Sequence, residues 1–342
     1  MQDHDIPDEE ISATVSLFER ATGFMASQAI YVAAKLDVAG VLEDGPKELD
    51  ALADACQANA EALYRLLRAL TSIGLFSEIE PKCFAMTPSA MPLLRDVPMS
   101  LRPYLLLLGD PAWWNSWGDL DVSIKTGSAS FDRLFHMDFS EYLEIHPELS
   151  HHFNQCMSSL SQSHNSAILQ SYDFCPFSHI VDVGGGQGAL LLSILQANPE
   201  SQGTVFDLPH VIESHPAPPS HMASRLHYEA GDFFQQVPMG ADLYILKQII
   251  HDWSDADAVR ILQHCKTAMP TDSRLLIIDT AIDAENVSSI NYFFDLHMQV
   301  TAPGAKERTR DEFEELLTIA GFRKSRCILT PASLCLLEAI PQ

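Results

Sequence analysis

The chain is predicted to be an α/β protein: a mostly parallel sheet covered by helices on both faces, preceded by a helical, winged-helix-like segment. Three observations predict this. From residue 178 onward, short continuous apolar runs alternate with amphipathic helical stretches. The first of those runs ends in the glycine-rich turn VDVGGGQG. The residues before it read as helix almost throughout, interrupted by one small hairpin.

In order along the chain, SLFERATGFMASQAIYVAAKLDVAGVLEDG has helical apolar spacing and ends at Gly40 and Gly45. ELDALADACQANAEALYRLLRALTSIGLF gives two short helices broken near Asn59, and FSEIEPKCFAMT a small hairpin. Helix, helix, helix, hairpin is the order of a winged helix, whose common use is DNA binding. Charge argues against that use. Residues 1–100 hold 16 acidic and 7 basic residues, and the second helix of the pair carries only Arg65 and Arg68. An oligomerisation surface is the better expectation. Residues 101–175 are helical again and rich in aromatics, histidine and methionine, among them Trp113, Trp114, Trp117, Phe131, Phe135, Phe139, Phe153 and Met157. Most such residues build helical core, and a minority line a pocket.

The later runs are HIVDVGGG, GTVFDLP, LHYEAGDFF, ADLYILKQII, SRLLIIDTAI, SRCILT and SLCLLEAI, with helices at ALLLSILQANP, PHVIESHP, DADAVRILQHCKTAM and RTRDEFEELLTIAGF. Strands that are apolar throughout, rather than alternating, are buried on both faces of a parallel sheet. Such sheets bind ligands beyond the carboxyl ends of their strands, so each strand end is a candidate site.

Composition narrows the ligand. The formal net charge is −25, from 46 acidic and 21 basic residues. A surface this negative repels nucleic acid and anionic membrane and favours a small neutral or cationic ligand. The hydrophobic fraction of 46% and charged fraction of 20% fit a folded chain, and no apolar run is long enough to span a bilayer. The opening MQDHDIPDEE is too acidic for a signal peptide. Seven cysteines, at 56, 83, 156, 175, 265, 327 and 335, include no C-x-x-C pair. Reduced thiols in the cytoplasm are expected, with neither a disulfide framework nor a zinc site.

The strand ends carry the chemistry. Glycines 184, 186 and 188 let backbone approach a ligand and let the next helix start tightly. The pattern also fits the dinucleotide form G-x-G-x-x-A through Ala189, so the glycines leave a nicotinamide-dependent oxidoreductase open. Asp207 ends the second strand, where a carboxylate can hold ribose hydroxyls or cap a helix before Pro209. At the third strand end, GDFF offers Asp232 to an adenine amino group and Phe233 to the ring face. Asp182, Asp207, Asp232 and Asp242 suit a cationic cofactor such as S-adenosylmethionine better than a pyrophosphate. In LYILKQIIHDWSD, Asp252 and Ser254 are placed to cap the next helix, SDAD reads as a capping box, and Trp253 packs in the core. His251 is neither a favoured cap nor an apolar filler, and it faces the crevice.

The set VDVGGGQG…FDLP…GDFF…LKQIIHDWSD…GAKERTRDEFEELLTIAGF resembles the S-adenosylmethionine-dependent O-methyltransferases of specialised metabolism, plant caffeate and flavonoid enzymes and bacterial polyketide and phenazine enzymes. The resemblance covers almost the whole chain. It implies a Rossmann-like class I methyltransferase sheet of seven strands, the last antiparallel. It implies a winged-helix dimerisation domain at 1–100, a helical linker at 101–175 contributing to the acceptor pocket, and a cofactor-binding catalytic domain at 176–342. The partners implied are a small-molecule acceptor and a second copy of the chain, with no nucleic acid and no membrane.

By resemblance, Gly184 approaches the methionine part of S-adenosylmethionine, Asp207 the ribose, Asp232 and Phe233 the adenine, and Lys247 lies near the adenine side, with Asp182, Gly186 and Leu208 also binding the cofactor. His251 is the general base, flanked by Asp279 and Glu307. Trp114, Phe153, Met157, Phe294 and Met298 line the acceptor pocket. Three positions depart from the plant pattern. Asp279 stands where Glu is usual, so its hold on His251 is expected to be looser. Gly304-Ala305 replaces Gly-Gly, and Ala302 replaces a substrate-contacting Asn, which argues against a phenylpropanoid substrate.

The reaction implied is a direct displacement from a sulfonium that already activates the methyl, so no metal is required. A phenol of pKa about 10 gives up its proton to an imidazole of pKa about 6.5 during attack, while a carboxylate fixes the ring's tautomer. HPELSHH at 146–152 lacks the context of a metal-binding helix. Three other functions remain open from residues alone: a relative repurposed for pericyclic, hydroxylation or decarboxylation chemistry, a ligand-sensing winged-helix regulator, and the oxidoreductase above.

Overall fold

The computed structural model of the chain describes residues 8–97, 100–213, 218–285 and 287–342. They form two compact units, Met1–Trp114 with His146–Ser159, and Asn115–Ile145 with Leu160–Gln342.

In the first unit, α1 (Asp8–Ala21), α2 (Gly23–Lys35) and α3 (Val38–Leu42) replace the single predicted helical run. Asp37 breaks it with a left-handed φ of 57°. A two-residue strand, β1 (Lys47–Glu48), leads into α4 (Leu49–Ala55) and α5 (Ala60–Ser72). α5 starts where Asn59 accepts the Ala62 N–H at 3.0 Å, a side-chain cap at the predicted break. β2 (Phe76–Glu80) and β3 (Cys83–Met86) are the predicted hairpin, and β1 pairs with β3 to make a third strand that its two residues do not announce. Leu52, Leu67, Leu70, Phe76 and Phe84 fill the core of this unit. α6 (Arg102–Leu108) follows. α7 (Pro111–Gly118) and α11 (Pro147–Ser171) have residues in both units.

The second unit holds α8 (Leu120–Thr126), α9 (Ser130–Phe135) and α10 (Phe139–Ile145). Its sheet comprises β4 (His179–Val183), β5 (Gln202–Asp207), β6 (Leu226–Ala230), β7 (Leu243–Lys247), β8 (Arg274–Asp279), β9 (Phe322–Leu329) and β10 (Cys335–Pro341). Their order is β6-β5-β4-β7-β8-β10-β9. β4 to β8 pair in parallel, and β10 runs antiparallel to both of its neighbours. This is the seven-stranded sheet, last strand antiparallel, that the resemblance implies.

Each central strand is buried on both faces, which explains its unbroken apolar run. Tyr244, Leu246, Leu275 and Ile277 pack on one face with Ile261 and Leu262 of α14 (Asp255–Ala268) and Phe313 and Leu317 of α16 (Arg310–Ile319). Leu243, Ile245, Leu276 and Ile278 pack on the other with Leu191 and Ile194 of α12 (Ala189–Ala197). α13 is Pro209–Glu213, and the rest of the predicted PHVIESHP helix, 214–216, lies outside the described residues. α15 (Ser289–Thr301) follows β8.

Two strand ends come earlier than their apolar runs predict. β6 stops at Ala230, so Asp232 and Phe233 lie in the turn beyond it. β7 stops at Lys247, because Gln248 takes a left-handed φ of 53° and turns the chain. Ile250–Asp252 then form a 3-10 turn that carries His251. No helix of the described residues is long and apolar enough to cross a membrane.

Candidate active site

The glycine turn follows β4. Gly184 has φ 70°, and a Cβ there would lie 2.5 Å from Ile249 Cδ1, so both backbone and space require glycine. Gly186 has φ 54° and nothing within 4 Å of where a Cβ would stand, so there is space beside its Cα. Asp207 ties itself to this turn rather than to a helix. Its Oδ2 accepts the Gly186 N–H at 2.8 Å and its Oδ1 the Leu208 N–H at 2.7 Å. Asp232 holds its own turn, accepting from the Phe234 N–H at 2.8 Å and the Gln235 amide at 3.1 Å. The Phe233 ring stands near Gly184 and edge-on to Phe234 and Trp253, which confirms Trp253 as a packing residue.

Asp182 is buried beneath the turn. Burial pushes its carboxyl up to about 7, Asp207 adds to the rise, and Lys247 opposes it. Lys247 is itself lowered by burial, with Asp182 and Asp279 holding it up. Its Nζ donates to Ser161 Oγ at 2.9 Å and Gln248 Oε1 at 3.1 Å. A cationic ligand over the turn would let Asp182 ionise, so the space beside Gly186 and the buried carboxylate fit a sulfonium cofactor. Asp242, the fourth expected carboxylate, is not here. It precedes β7 at the opposite end of the sheet, where it accepts the Ser178 and His179 N–H groups.

The structure brings His251, Asp279 and Glu307 together. Nδ1 of His251 lies 3.2 Å from Glu307 Oε1 and 3.4 Å from Asp279 Oδ1. The His251 backbone N–H also donates to Asp279 Oδ2 at 3.3 Å. Asp279, at the end of β8, therefore holds the ring more loosely than Glu307 but anchors the main chain as well. Both carboxylates are buried, and Glu307 Oε2 has no hydrogen-bond partner among the described residues. With two carboxylates facing Nδ1, the proton sits there and Nε2 is the nitrogen left to accept one. Burial disfavours the imidazolium, but Asp279, Asp252 and Glu307 outweigh it and hold the histidine well above its ordinary value. Burial likewise raises Asp279, against the pull of His251 and with the push of Glu307.

Asp252 is not the helix cap that its position predicts. Ser254 Oγ accepts the Asp257 N–H at 3.2 Å and caps α14, whereas Asp252 Oδ1 stands 3.4 Å from His251 Nε2. The 3-10 turn swings Asp252 back onto the ring, a geometry that spacing along the chain does not show.

Arg308 is the functional residue that the sequence does not flag. It is fully buried. Its Nη1 donates to the Ile250 carbonyl at 2.6 Å, its Nη2 to the Trp253 carbonyl at 2.7 Å, and its Nε to Asp255 Oδ1 at 3.0 Å. The two carbonyls bracket His251 and Asp252, so one guanidinium fixes both ends of the turn that aims the histidine. Lys306 N–H to the His251 carbonyl, at 2.9 Å, adds a third tie. The signal was present in the KERT run, whose arginine precedes the capping threonine of α16.

Of the residues expected at the acceptor pocket, Phe294 and Met298 lie half-buried one turn apart on α15. Trp117 stacks on His297 of the same helix at 6.2 Å and donates its indole N–H to Nδ1 at 3.1 Å. Burial drives His297 down to about 4, so it is a neutral ring of fixed orientation. Trp114 and Phe153, half-buried, and Met157, exposed, belong to the other unit.

The same three groups that surround a proton on Nδ1 would accept a divalent ion. Among the described residues, ligand atoms of His251, Asp279 and Glu307 all lie within 4.8 Å of one another. The resemblance groups these three as a base and its flanking carboxylates, with no metal; their capacity to hold an ion appears only in the geometry. One histidine and two carboxylates are ligands that zinc accepts.

Comparison with known proteins bears on this arrangement. Residues 117–323 match the family model of the O-methyltransferase domain, and residues 18–96 that of the O-methyltransferase dimerisation domain. The chain is 37% identical over 327 residues to a phenazine O-methyltransferase of Lysobacter antibioticus, covering 95% of each chain. The solved mitomycin 7-O-methyltransferase superposes with a TM-score of 0.90 at 34% identity, covering 98% of this chain and 99% of that one. A methyltransferase of calicheamicin biosynthesis, solved with S-adenosylhomocysteine bound, superposes with a TM-score of 0.85 at 30% identity, covering 99% of this chain and all of that one.

Proposed function

The chain belongs to the S-adenosylmethionine-dependent O-methyltransferases of secondary metabolism, and from that premise we propose that it methylates a phenol or enol hydroxyl of a small aromatic or polyketide-type metabolite, with His251 as general base and no metal. The observation that carries this reading is the His251 ring, its Nδ1 held by the buried Glu307 and Asp279 and its Nε2 turned toward the exposed Asp252. S-adenosylmethionine supplies an activated methyl on a positively charged sulfur. Asp182, Gly184 and Gly186 hold its methionine part, Asp207 and Leu208 the ribose, Asp232 and Phe233 the adenine, and Lys247 completes the charge around Asp182. His251 Nε2 takes the hydroxyl proton during attack, and Asp279, Glu307 and Asp252 stabilise the imidazolium that forms. Phe294 and Met298 present apolar surface to a flat acceptor, beside the Trp117–His297 stack. Transfer of labelled methyl from the cofactor to a phenolic acceptor tests the reaction. Cofactor binding without any label in product, across a panel of phenols and enols, would reject it.

The raised His251 value sets two opposite pH responses. A general base must be unprotonated, so kcat is expected to rise with pH through the folded value of His251 and then level off. Stability runs the other way. His251 and Asp279 both bind protons more tightly folded than unfolded, so their contribution is complete below their unfolded values and is lost as pH rises through the folded ones. Turnover and urea midpoint measured from pH 6 to 9, a range set by the ordinary histidine value of about 6.5, should therefore diverge. A kcat that falls with pH across that range would contradict the assignment of the base.

Metal independence has its own check. Chelation by EDTA should leave turnover unchanged, while added zinc should inhibit by replacing the proton between His251, Asp279 and Glu307. Activity lost to EDTA and restored by a divalent ion would reverse the reading. The dimerisation domain is assigned to a homodimer, supported by the exposed apolar Leu17, Phe18, Phe24 and Met25 on α1 and α2.

A further inference from the structure

We propose that Cys327 and Cys335 form a peroxide-responsive dithiol that closes into a disulfide beside the site. The two lie on neighbouring antiparallel strands, β9 and β10. Cys327 is opposite Leu337 and Cys335 opposite Leu329, so the cysteines are diagonal neighbours on one face of the sheet. Each thiol is the strongest influence on the other's titration, as expected of sulfurs that face one another across the two strands. Both are free. The hairpin between them is fixed by Thr330, whose backbone N–H donates to the Leu334 carbonyl and whose Oγ1 accepts the Leu334 N–H. Next to Cys327, a β-bulge at Glu338/Ala339 increases the local twist, which brings diagonal side chains closer than a flat ladder does.

The two thiols have different roles. Cys327 is half-buried and Cys335 fully buried. The neighbouring Cys335 thiol, with the charges of Arg310 and Lys324, brings Cys327 down to about 7 against burial and Asp283. Cys327 and burial raise Cys335 in turn. Cys327 is therefore the attacking thiolate and Cys335 the resolving thiol. The Cys327 sulfur attacks hydrogen peroxide, the O–O bond breaks, and Cys327 becomes a sulfenic acid as hydroxide leaves. The Cys335 sulfur then attacks that sulfur, the S–S bond forms, and the sulfenic oxygen departs as water with the Cys335 proton. Two thiols and one peroxide give one disulfide and two waters.

Placement gives the bridge a consequence. Cys335 is the direct cross-strand partner of Asp279 on β8, the carboxylate that anchors His251. Closing the bridge acts on the strand pair that carries that carboxylate. This consequence rests on the role proposed for Asp279, whereas the disulfide does not.

Both cysteines lie on one tryptic peptide, since no lysine or arginine follows Arg326. The full-length protein, treated with hydrogen peroxide, alkylated and digested, should yield that peptide unalkylated and lighter by two hydrogens, and dithiothreitol should restore both alkylation sites. Cys335→Ser, which keeps a polar hydroxyl beside Cys327 but cannot close a disulfide, should leave Cys327 as a sulfenic acid that dimedone traps. Cys327→Ser, at the less buried position, should abolish bridging with the fold retained. Two alkylated thiols after peroxide, or Cys327 driven to sulfinic acid beside an intact Cys335, would overturn the proposal. In the bridged protein kcat should fall and recover on reduction, with cofactor affinity kept. Bridging with unchanged kcat would remove the coupling to Asp279.

Discussion

Replacing His251 with alanine is expected to lower kcat by about 10²- to 10⁴-fold, the contribution of a positioned general base. Affinity for S-adenosylhomocysteine, measured by calorimetry, should stay within a few-fold. The reason lies in position: the residues proposed to hold the cofactor lie at the ends of β4 to β7, while His251 stands on the 3-10 turn beyond β7 and is proposed to meet the acceptor. The substitution also leaves Asp279 and Glu307 buried without the cation between them, and Asp279, already raised by burial, relieves the repulsion by taking up a proton. His251→Gln is the control, since it keeps a donor toward those carboxylates and still cannot act as a base. Both variants should bind cofactor and fail to turn over. Turnover near wild type in either one would sink the assignment.

The second large effect belongs to Arg308. Arg308→Leu removes the donors that satisfy the Ile250 and Trp253 carbonyls and releases the turn that holds His251. Unsatisfied buried acceptors and a broken buried pair together cost about 3–5 kcal/mol, read as a fall in the urea midpoint. Asp255 is half open to solvent, so most of that cost comes from the carbonyls rather than the ion pair. A positioning role predicts more than instability. Arg308→Lys, which restores the charge but reaches only one carbonyl, should recover part of the stability while kcat stays at least tenfold low, because the turn remains free to tilt the imidazole. Full kcat in a destabilised Arg308→Lys enzyme would make the arginine purely structural.

Much of this was legible in the residues. The apolar runs gave the strands because both faces of the sheet are covered, so no alternation competed with the signal. The glycine turn was legible because positive φ at 184 and 186 and the approach of Ile249 leave glycine as the residue that fits. The ends of β6 and β7 were read late, since an apolar run continues past the point where Gln248 turns the backbone. β1 was missed because two residues carry no periodicity at all. Asp242 was misplaced because an acidic residue beside a strand looks alike at either end, and only the direction of β7 separates the crevice from the opposite rim.

The sequence by itself determined the apolar strand runs of the sheet, the glycine turn after its first strand, and His251 as the residue without a structural reason, all from patterns that are local or recur in fixed order. What the tertiary structure decided is everything that depends on distance between segments. It set Glu307 nearer the ring than Asp279, moved Asp252 from the helix cap to the other imidazole nitrogen, and made Arg308 the clamp of the turn. It also put Cys335 opposite Asp279. Except for Asp252, the neighbour that the 3-10 turn folds onto the ring, those contacts join positions 28 to 58 residues apart, and hydrogen bonds and ion pairs form within a few ångströms whatever the separation along the chain.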